Sequence, residues 1–532
     1  MPMKPDSRPM KITIPLEVEA RIVPREEREF LRPLAAKACG LREEDLLSLE
    51  IRRRSLDARH KPRVKILYSL AAELRPGARP RPDRGIAPLT EEPPYFPPDN
   101  RKGLHHPLVV GTGPAGLFGA LVLAMAGTCP LVVERGRDVE RRGQDIQDFF
   151  ATRQLNPESN LLFGEGGAGT WSDGKLFTRV RDPRGRFVLE TFVAAGAPPE
   201  ILYYAHPHLG SDRLPAIISA IRRRICQLGG RFLWDTRVEA VEGDTAFRGL
   251  RLGDGSRLEG SAALVACGHS ARDLIQQMAG QVQVALKGFQ IGCRIEHTQS
   301  FINQTQFGMA VPYPSLGPAE YLLSLHDDAQ GPGATSFCMC PGGEILPATC
   351  DPLALCTNGM SNAARDGQFA NSALISTLRE TTFSSPREAF PFLHDLETRL
   401  FQLGGGDYSA PAQRARDFLL GGTSPLPKAT SYRLGLTPAR LDLLVPDPIR
   451  TALQRALAAV DRKAPGFLGG GTLVGMETRV SSPVRFLRRP DTLSTSMDGL
   501  YVAGEGGGMA GGIVSAAIDG LRLAEAMLGA LP

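Results

Sequence analysis

The sequence predicts an α/β protein whose main unit is a parallel sheet flanked by helices, with further sheet-containing segments before it and within it. Three observations predict this fold class. A strand, a glycine-rich turn, an apolar helix and a second strand follow one another within residues 108–134. The segment after residue 498 again reads as a strand, a glycine loop and a helix, and the region between 280 and 470 lacks this rhythm.

Length and composition indicate an ordinary globular protein of several domains. The chain has 532 residues, of which 42% are hydrophobic and 22% charged, and a net charge of +5 that by itself implies neither nucleic acid nor a membrane as partner. No apolar run approaches the ~20 residues of a membrane span. Residues 1–11 lack the apolar core of a secretory signal. The nine scattered cysteines suit reduced thiols, so we expect a cytoplasmic protein.

Residues 1–75 are predicted to form a small N-terminal α/β domain. KITIPLEV is a strand candidate, a helical stripe stops at Gly40, and two alternating segments predict a pair of neighbouring strands. A basic cluster runs along this pair and consists of Arg52, Arg53, Arg54, Arg59, Lys61, Arg63 and Lys65. The cluster is either a solvated sheet face, which we favour, or an anion- or RNA-binding face. No RNA-binding signature supports the second interpretation.

Composition then divides the rest of the chain. Residues 76–104 are rich in proline, which fixes φ and removes an N–H donor, so they predict a linker rather than a helix or a central strand. Residues 105–278 are predicted to form the first part of a dinucleotide-binding domain, and residues 471–532 its C-terminal part. Residues 279–470 predict an inserted mixed α+β substrate domain that covers the far side of the ligand.

The segment 108–134 carries the residues of a Rossmann dinucleotide-binding unit. Gly111 allows a tight turn, Gly113 lets the backbone approach a pyrophosphate, and Gly116 lets the helix pack close to the strand. The helix N-terminus offers free N–H groups and the positive end of the helix dipole. Glu134 ends the second strand, where an acid can hold the hydroxyls of an adenosine ribose. Because all these parts occur in order, we predict dinucleotide binding.

Two further glycine-rich stretches predict ligand contacts. GEGGAGTWSDGKLFTR, ending at Arg179, places a run of backbone N–H groups beside Thr170 and Lys175, which suits a loop on an anionic or planar ligand; a surface loop is the alternative. A helix that starts near Gly512 after GEGGGMAGG provides a second anion or polarised-ring site. Between them, the sequence predicts a helix, a strand RFLWDTRVEAV, a hairpin around Asp254-Gly255 and an apolar strand ending at Gly268.

Cysteine and histidine spacing predicts no metal site. Cys338 and Cys340 form C-x-C, which is poor for a relaxed disulfide and incomplete for zinc, so core or pocket thiols are the favoured interpretation. His206 and His208 are too few to hold a metal and suit roles in a turn or a pocket.

Over nearly its whole length the chain resembles the uncharacterised FAD-dependent dehydrogenases, a family of large FAD-dependent oxidoreductases. The resemblance rests on GTGPAGLFGALVLA, GEGGAGTWSDGKLFTR, SFCMCPGGE, GMETRVSSPVRFLRR and GEGGGMAGGIVSAAIDG, among others; SFCMCPGG and ETRVSSP are distinctive of the family. It implies a glutathione-reductase-like two-dinucleotide-binding FAD fold with an inserted mixed α+β substrate domain and a small N-terminal α/β domain. It supplies no reaction.

The resemblance also implies which residues hold FAD. The first glycine motif and Glu134 hold its ADP half, Val238 passes the adenine, and Gly504 and Glu505 meet the ribityl–phosphate region. Glu505 departs from the aspartate usual in this fold. The predicted cofactor-binding residues are Gly111, Gly113, Pro114, Ala115, Gly116, Glu134, Arg135, Gly166, Gly167, Thr170, Val238, Gly268, Gly504, Glu505, Gly512 and Ile513.

FAD implies oxidoreduction, because the flavin carries the redox chemistry. The sequence shows no second strand–GxGxxG–helix unit and no CxxC after the first unit. Electrons are therefore expected from transiently bound NAD(P)H, an electron-carrier protein or the substrate itself. Predicted substrate contacts are Lys175, Arg365, Asn371, Glu477 and Arg479.

The two arginines among these contacts would clamp a carboxylate or phosphate, and Glu477 would orient an arginine or move a proton. A structural ion pair is the alternative for each. We thus predict a FAD-dependent dehydrogenase or reductase of a small or medium organic substrate, with non-covalent FAD. The alternatives are a flavoprotein that binds RNA through its N-terminal domain and acts in RNA modification, and a flavoprotein without turnover.

Overall fold

The computed structural model describes residues 10–24, 26–81, 85–91, 93–329 and 331–529. Residues 1–9, on which most of the expectation about a secretory signal rests, lie outside this part of the chain, as do residues 82–84 and 92 of the predicted linker. Among the helices of the described residues, none is both long and apolar enough to cross a membrane.

An antiparallel sheet and one helix form the N-terminal unit. Its elements are β1 (Lys11–Glu19), α1 (Glu27–Cys39), β2 (Leu46–Asp57), β3 (Lys65–Leu74) and β4 (Ala87–Pro88). The strands are ordered β2-β3-β1-β4, and α1 ends at Gly40, whose φ of +67° lies in the left-handed region that glycine adopts most readily. The predicted strand pair and helix are confirmed. Within its described residues the linker adds only the short edge strand β4, in keeping with its prolines.

Part of the predicted basic cluster is paired within the protein, whereas Arg52, Arg53 and Arg63 are exposed. Arg54 is buried; its Nε donates to Glu27 Oε1 at 2.9 Å and its Nη2 to the carbonyl oxygen of Ser315 at 2.5 Å. Arg59 pairs with Asp57 at 2.6 Å. Arg54 thus joins the N-terminal unit to the inserted domain.

The remaining elements follow in chain order. Before the inserted domain lie β5 (Leu108–Val110), α2 (Pro114–Met125), β6 (Leu131–Val133), α3 (Val139–Thr152), α4 (Arg184–Ala194), α5 (Leu214–Gln227), β7 (Arg231–Leu233), β8 (Val238–Gly243), β9 (Phe247–Leu252), β10 (Arg257–Glu259), β11 (Ala263–Val265), α6 (Arg272–Ala279) and β12 (Val284–Leu286). The inserted domain contains β13 (Phe289–Thr298), α7 (Gln299–Phe307), β14 (Ser324–Leu325), β15 (Ala334–Cys340), β16 (Glu344–Pro347), β17 (Thr357–Met360), β18 (Phe369–Leu378), α8 (Pro386–Gly404), β19 (Ala410–Arg414), α9 (Ala415–Leu420), β20 (Leu436–Pro438), α10 (Leu441–Leu444), α11 (Asp447–Lys463), α12 (Phe467–Gly470) and β21 (Thr472–Glu477). The C-terminal part contains β22 (Val484–Phe486), β23 (Leu500–Val502) and α13 (Ile513–Leu528).

A five-stranded parallel sheet, ordered β23-β11-β5-β6-β7, organises the second unit. Strand β5 is buried throughout, as expected for a parallel sheet covered on both faces. Helices α2 and α13 pack so closely that a Cβ at Gly520 would lie 2.0 Å from the carbonyl oxygen of Ala115. The C-terminal segment therefore returns to the first sheet, as the sequence predicts.

The predicted strand RFLWDTRVEAV is wrong as a single element. It is divided into β7, which joins the parallel sheet, and β8, which begins the antiparallel β8–β9–β10 meander. Asp235 separates them with a φ of +51°, and its N–H donates to the carbonyl oxygen of Gly136 at 3.0 Å. The hairpin at Asp254-Gly255 is confirmed between β9 and β10, with Gly255 at φ +83°.

A seven-stranded mixed sheet, ordered β14-β15-β18-β13-β21-β19-β20, forms the inserted domain. Its neighbours are antiparallel except β19 and β20. The sheet begins at Phe289 and extends to Glu477, past the predicted limit at residue 470, because β21 pairs with the central strand β13. One hydrophobic core runs from the N-terminal sheet into this domain, so the two units share their packing.

Candidate active site

An elongated cleft of about 380 Å³ lies between the parallel sheet and the inserted sheet. This volume is within the range of ligand pockets, ~300–1,000 Å³. The parallel-sheet side contributes the first glycine turn and the N-termini of α2 and α13. The inserted domain contributes Phe337 and Cys338 from the seven-stranded sheet and Asn358 from the separate β16–β17 pair. The cleft therefore spans both parts of the predicted dinucleotide-binding domain.

The three motif glycines occupy positions that differ in the space around them. Gly111 has a φ of +94°, and a Cβ there would lie 2.5 Å from the carbonyl oxygen of Ala266. A Cβ at Gly116 would lie 1.9 Å from the carbonyl oxygen of Gly111, so only glycine permits this approach of α2 to the turn. A Cβ at Gly113 would meet only the Cα of Gly167, at 4.0 Å. Gly113 thus leaves the floor of the cleft open.

Two helix N-termini meet the cleft without side-chain caps. Gly113 is the N-cap of α2 and Gly512 that of α13, and neither accepts a first-turn N–H through a side chain. The unpaired N–H groups and the dipole of each helix favour an anionic or polarised group. Glu505, which also lines the cleft, accepts a hydrogen bond from Ser482 N at 2.7 Å, and this bond holds its carboxylate against the loop after β21.

Glu134 is buried at the end of β6 and connects the first two glycine loops. Its Oε2 accepts from Thr112 N at 2.9 Å and from Thr112 Oγ1 at 2.7 Å, and its Oε1 accepts from Gly136 N at 3.0 Å and Gly164 N at 3.1 Å. A carboxylate has about four acceptor positions. All four are filled by the protein itself, so a ribose hydroxyl would have to replace or share one of them.

The second glycine loop is supported from within by Arg142, which is fully buried. Its guanidinium lies 4.4 Å from the ring centre of Trp171, and burial lowers its pKa. It donates to the carbonyl oxygens of Asn160, Gly164, Glu165 and Gly167. These bonds fix the turn that presents Gly167 and Gly169 to the cleft.

Two acids and two bases form a neutral group at the inserted-domain end of the cleft: Asp173, Glu320, Lys175 and Arg365. Lys175 Nζ donates to Asp173 Oδ2 at 2.7 Å and also to the carbonyl oxygen of Met339. Arg365 pairs with the same carboxylate and, at 2.5 Å, with Glu320 Oε1. Although burial opposes it, Lys175 and Arg365 hold the pKa of Asp173 well below its usual range. Lys175 therefore lines the cleft with its positive charge compensated by Asp173.

A second buried pair, Arg294 and Glu477, connects the inserted sheet to the cleft. Arg294 Nη1 donates to Glu477 Oε2 at 2.6 Å, and its Nε donates to Asn371 Oδ1 at 2.8 Å. Its Nη2 donates to the carbonyl oxygen of Cys338 at 2.6 Å and contacts Cys340 Sγ at 3.3 Å. Burial raises the pKa of Glu477 although Arg294 opposes it. All nine cysteines are free thiols, and Cys338 lines the cleft while Cys340 is buried.

A third group of buried polar side chains is centred on Arg479. Arg479 donates to Glu397 at 2.7 Å and to the thiol of Cys350 at 3.3 Å. The carbonyl oxygen of Arg479 contacts His269 Nε2 at 2.8 Å, and burial lowers the pKa of His269. His269 and Arg479 both line the cleft, and Arg479 extends to its outer side.

The predicted cofactor residues divide into lining and supporting positions. The cleft is lined by Gly111, Gly113, Pro114, Ala115, Glu134, Arg135, Gly167, Val238, Gly268, Gly504, Glu505, Gly512 and Ile513. Gly116, Gly166 and Thr170 lie behind the wall. Gly166 N donates to the carbonyl oxygen of Thr112 at 3.0 Å, and Thr170 Oγ1 to that of Glu165 at 3.2 Å. Both polar groups are used inside the protein, so Gly166 and Thr170 support the loop, and their direct contact with the cofactor stays a prediction.

The predicted substrate residues divide in the same way. Lys175, Glu477 and Arg479 line the cleft, whereas Arg365 and Asn371 lie behind it and hold Asp173 and Arg294. The sequence interpretation missed His269, Phe337 and Asn358 as lining residues. His269 directly follows Gly268, so its place at the end of β11 was the available signal.

Comparison with known proteins identifies the family. Residues 288–480 match the model of the C-terminal domain of FAD-dependent proteins, and residues 10–73 match a domain of unknown function. An uncharacterized protein of Clostridium beijerinckii is 38% identical over 515 residues, which cover 94% of this chain and 96% of that protein.

The chain belongs to this family of FAD-dependent proteins. FAD, the cofactor of the family, fits the cleft. The glycines of the cleft leave its floor open, and the uncapped N-termini of α2 and α13 offer N–H donors at two separate points along the cleft. FAD is therefore the cofactor, as the sequence predicts.

Two solved structures show only a weak similarity to this FAD-dependent protein. PqsL of P. aeruginosa, in complex with 2-aminobenzoylacetate, is 14% identical with a TM-score of 0.35, covering 80% of this chain and 86% of its own. Glycine oxidase from Geobacillus kaustophilus is 11% identical with a TM-score of 0.33, covering 80% and 95%. Similarities of this strength decide neither the fold subclass nor the activity.

Proposed function

We propose that this chain is an oxidoreductase of the glutathione-reductase-like FAD type, in which non-covalently bound FAD passes electrons to or from a small or medium organic substrate. The observation that carries the proposal is the continuity of one cleft. It runs from the first glycine turn to the N-terminus of α13, and the inserted domain lines it with Phe337, Cys338 and Asn358. FAD supplies the redox chemistry, and the protein binds, orients and shields the substrate.

The residues at the inserted-domain end favour a substrate with an apolar, planar body. Phe177 and Phe337 line the cleft with half-exposed rings, 52% and 41% accessible, so each offers an aromatic face. Lys175 and Glu477 stand nearby, and each is held by a partner of opposite charge. They can orient a polar substituent without placing an uncompensated charge against the substrate.

Electrons are proposed to enter from NAD(P)H that binds transiently, from an electron-carrier protein or from the substrate. Two members of the N-terminal basic cluster give the RNA-modifying alternative no support, because Arg54 is buried and Arg59 is paired with Asp57. A partner nucleic acid is therefore not part of the proposal.

Anaerobic reduction of the purified, FAD-loaded protein tests the proposal. The flavin absorbance is followed while NADH, NADPH, a reduced carrier protein and a panel of organic compounds are added in separate experiments. Rapid bleaching by one nicotinamide supports a reductase, and bleaching only by an organic compound supports a substrate-reduced dehydrogenase. A colourless protein that cannot be reconstituted with FAD, or a flavin that no donor reduces, would refute it.

A further inference from the structure

A second cavity of about 580 Å³, here called the outer cavity, lies beside the FAD cleft and shares part of its wall. Arg479 and Phe163 line both spaces, and Arg272, Cys350, Gln276 and Phe390 line the outer cavity alone. Apolar rings and buried arginines thus meet in one space next to the cofactor site. Of the predicted site residues, only Arg135 and Arg479 line this cavity, and the glycine motifs do not reach it.

Two arginines on its wall, Arg272 and Arg479, form a buried triad with Glu397 that carries one excess positive charge. Arg272 and Arg479 both pair with Glu397, each at 2.7 Å. The side chains are nearly inaccessible, with 13% of Arg272, 6% of Arg479 and none of Glu397 exposed. Two cations therefore share one anion inside the protein. Buried charges are normally paired, so an excess of one is costly unless another anion joins them.

Glu397 has no acceptor position left for this excess. Its Oε1 accepts from Arg272 Nη2 at 2.7 Å and Thr478 Oγ1 at 2.6 Å, and its Oε2 accepts from Arg272 Nη1 at 3.0 Å and Arg479 Nη2 at 2.7 Å. A carboxylate offers about four such positions. Arg479 Nη1 reaches only the thiol of Cys350, a weak acceptor, at 3.3 Å. Arg479 Nε is buried without a hydrogen-bond partner.

The other carboxylates on the wall of the outer cavity have partners of their own. Glu158 and Asp273 both pair with Arg135, at 2.7 and 3.2 Å. Asp351 lies 3.3 Å from His394 Nδ1. Two carboxylates thus share Arg135, so the wall as a whole carries no excess of positive charge. Among the described residues, however, none of these acids pairs with Arg479 or Arg272, and the unpaired donor of Arg479 is the group that a bound anion would complete.

We propose that the outer cavity binds an organic monocarboxylate, whose carboxylate pairs with Arg479 and Arg272 and whose apolar body lies against Phe163 and Phe390. A single negative charge neutralises the triad, whereas a phosphate dianion would reverse its excess. The aromatic walls take the hydrocarbon part out of water. This binding site does not rest on the proposed function.

Calorimetric titration of the oxidised, FAD-loaded protein tests the site without turnover. Benzoate and hexanoate serve as monocarboxylates, and benzamide as the neutral counterpart of benzoate. At least one acid is expected to bind at one site per chain, and benzamide about tenfold or more weakly than benzoate where benzoate binds. Equal binding of benzoate and benzamide, or no binding of either acid at about 10 mM, overturns the proposal.

Gln276→Trp fills the outer cavity from the exposed face of α6 and leaves the triad intact. We expect it to weaken carboxylate binding about tenfold or more. Gln402→Trp, at an exposed glutamine of α8 away from the cavity, is the matched control and should bind as the unmodified protein does. Equal binding by the two variants would show that the acid binds elsewhere and would overturn the assignment.

Two further measurements separate this site from other anion sites. If Arg479 served FAD instead, benzoate would displace FAD from the protein and the absorbance of the retained flavin would fall. If the site took phosphate, inorganic phosphate would compete with benzoate and bind more tightly. Either result overturns the monocarboxylate assignment, whereas failure of flavin reduction alone would refute the proposed function and leave the binding result standing.

Discussion

Glu165, in the second glycine loop, is a buried carboxyl group that we expect to govern the pH dependence of stability in the FAD-binding part. Its side chain is fully inaccessible, and its Oε1 has no hydrogen-bond partner. Its Oε2 accepts from Val139 N at 2.8 Å and lies 3.3 Å from Arg222 Nη1. Burial raises the pKa of Glu165 to about 7, even though Arg222 opposes the shift.

The magnitude follows from the difference between this pKa and the ordinary value of 4.5. Between those values the folded protein keeps a proton that the unfolded chain has released. The stabilisation is therefore complete below pH 4.5 and is lost as the pH rises through about 7. At about 1.4 kcal/mol per pH unit, the change in the free energy of unfolding is about 3 kcal/mol.

Glu165→Gln removes this titration because the amide stays neutral. We expect the stability of the variant, relative to the unmodified protein, to rise by about 3 kcal/mol between pH 4.5 and 8. Urea denaturation followed by tryptophan fluorescence measures it, since both tryptophans, Trp171 and Trp234, lie in the FAD-binding part. Glu140→Gln, which removes the exposed carboxylate paired with Arg222, is the control and should cost less than ~1 kcal/mol. A stability difference between Glu165→Gln and the unmodified protein that stays constant from pH 4.5 to 8 would refute the reasoning.

Two pairs of substitutions test the cleft floor and the buried charges. Gly113→Ala adds a methyl group in open space, so the FAD-free protein should keep its melting temperature while the purified protein retains much less FAD by absorbance. Gly116→Ala presses its methyl against the carbonyl oxygen of Gly111, so melting temperature and FAD content should both fall; equal behaviour of the two variants would contradict this. Arg294→Met leaves Glu477 buried without its cation and should cost about 3–5 kcal/mol in urea denaturation. Adding Glu477→Leu should recover part of the loss, and a double variant less stable than Arg294→Met would count against an unpaired charge as the cause.

The parts of the fold that the sequence predicted are those specified by neighbouring residues. The turn from Gly111 into α2 and the second strand ending at Glu134 lie within one short segment, so the periodicity and the glycine positions determine them together. The strand that divides at Asp235 shows the limit of such patterns. Its β-forming residues continue across the break, and the turn is set by a bond to the distant Gly136.

The charge partners at the inserted-domain end could not be predicted, because they join segments far apart in the chain. Arg294 and Glu477 are 183 residues apart, and Arg365 and Asp173 are 192 apart. No periodicity connects such positions. The sequence could suggest polar residues near the ligand, but it could not show which of them would be used to support one another.

The two arginines predicted to clamp an acidic substrate were equivalent in the sequence, and their hydrogen-bond partners separate them. Arg365 pairs with both Asp173 and Glu320, so its group of charges is complete without a ligand. Arg479 shares Glu397 with a second arginine and keeps one buried N–H without a partner. A bound carboxylate would add little to the first arginine and would complete the second. The distinction depends on counting acceptors around each cation, which only the folded arrangement makes possible.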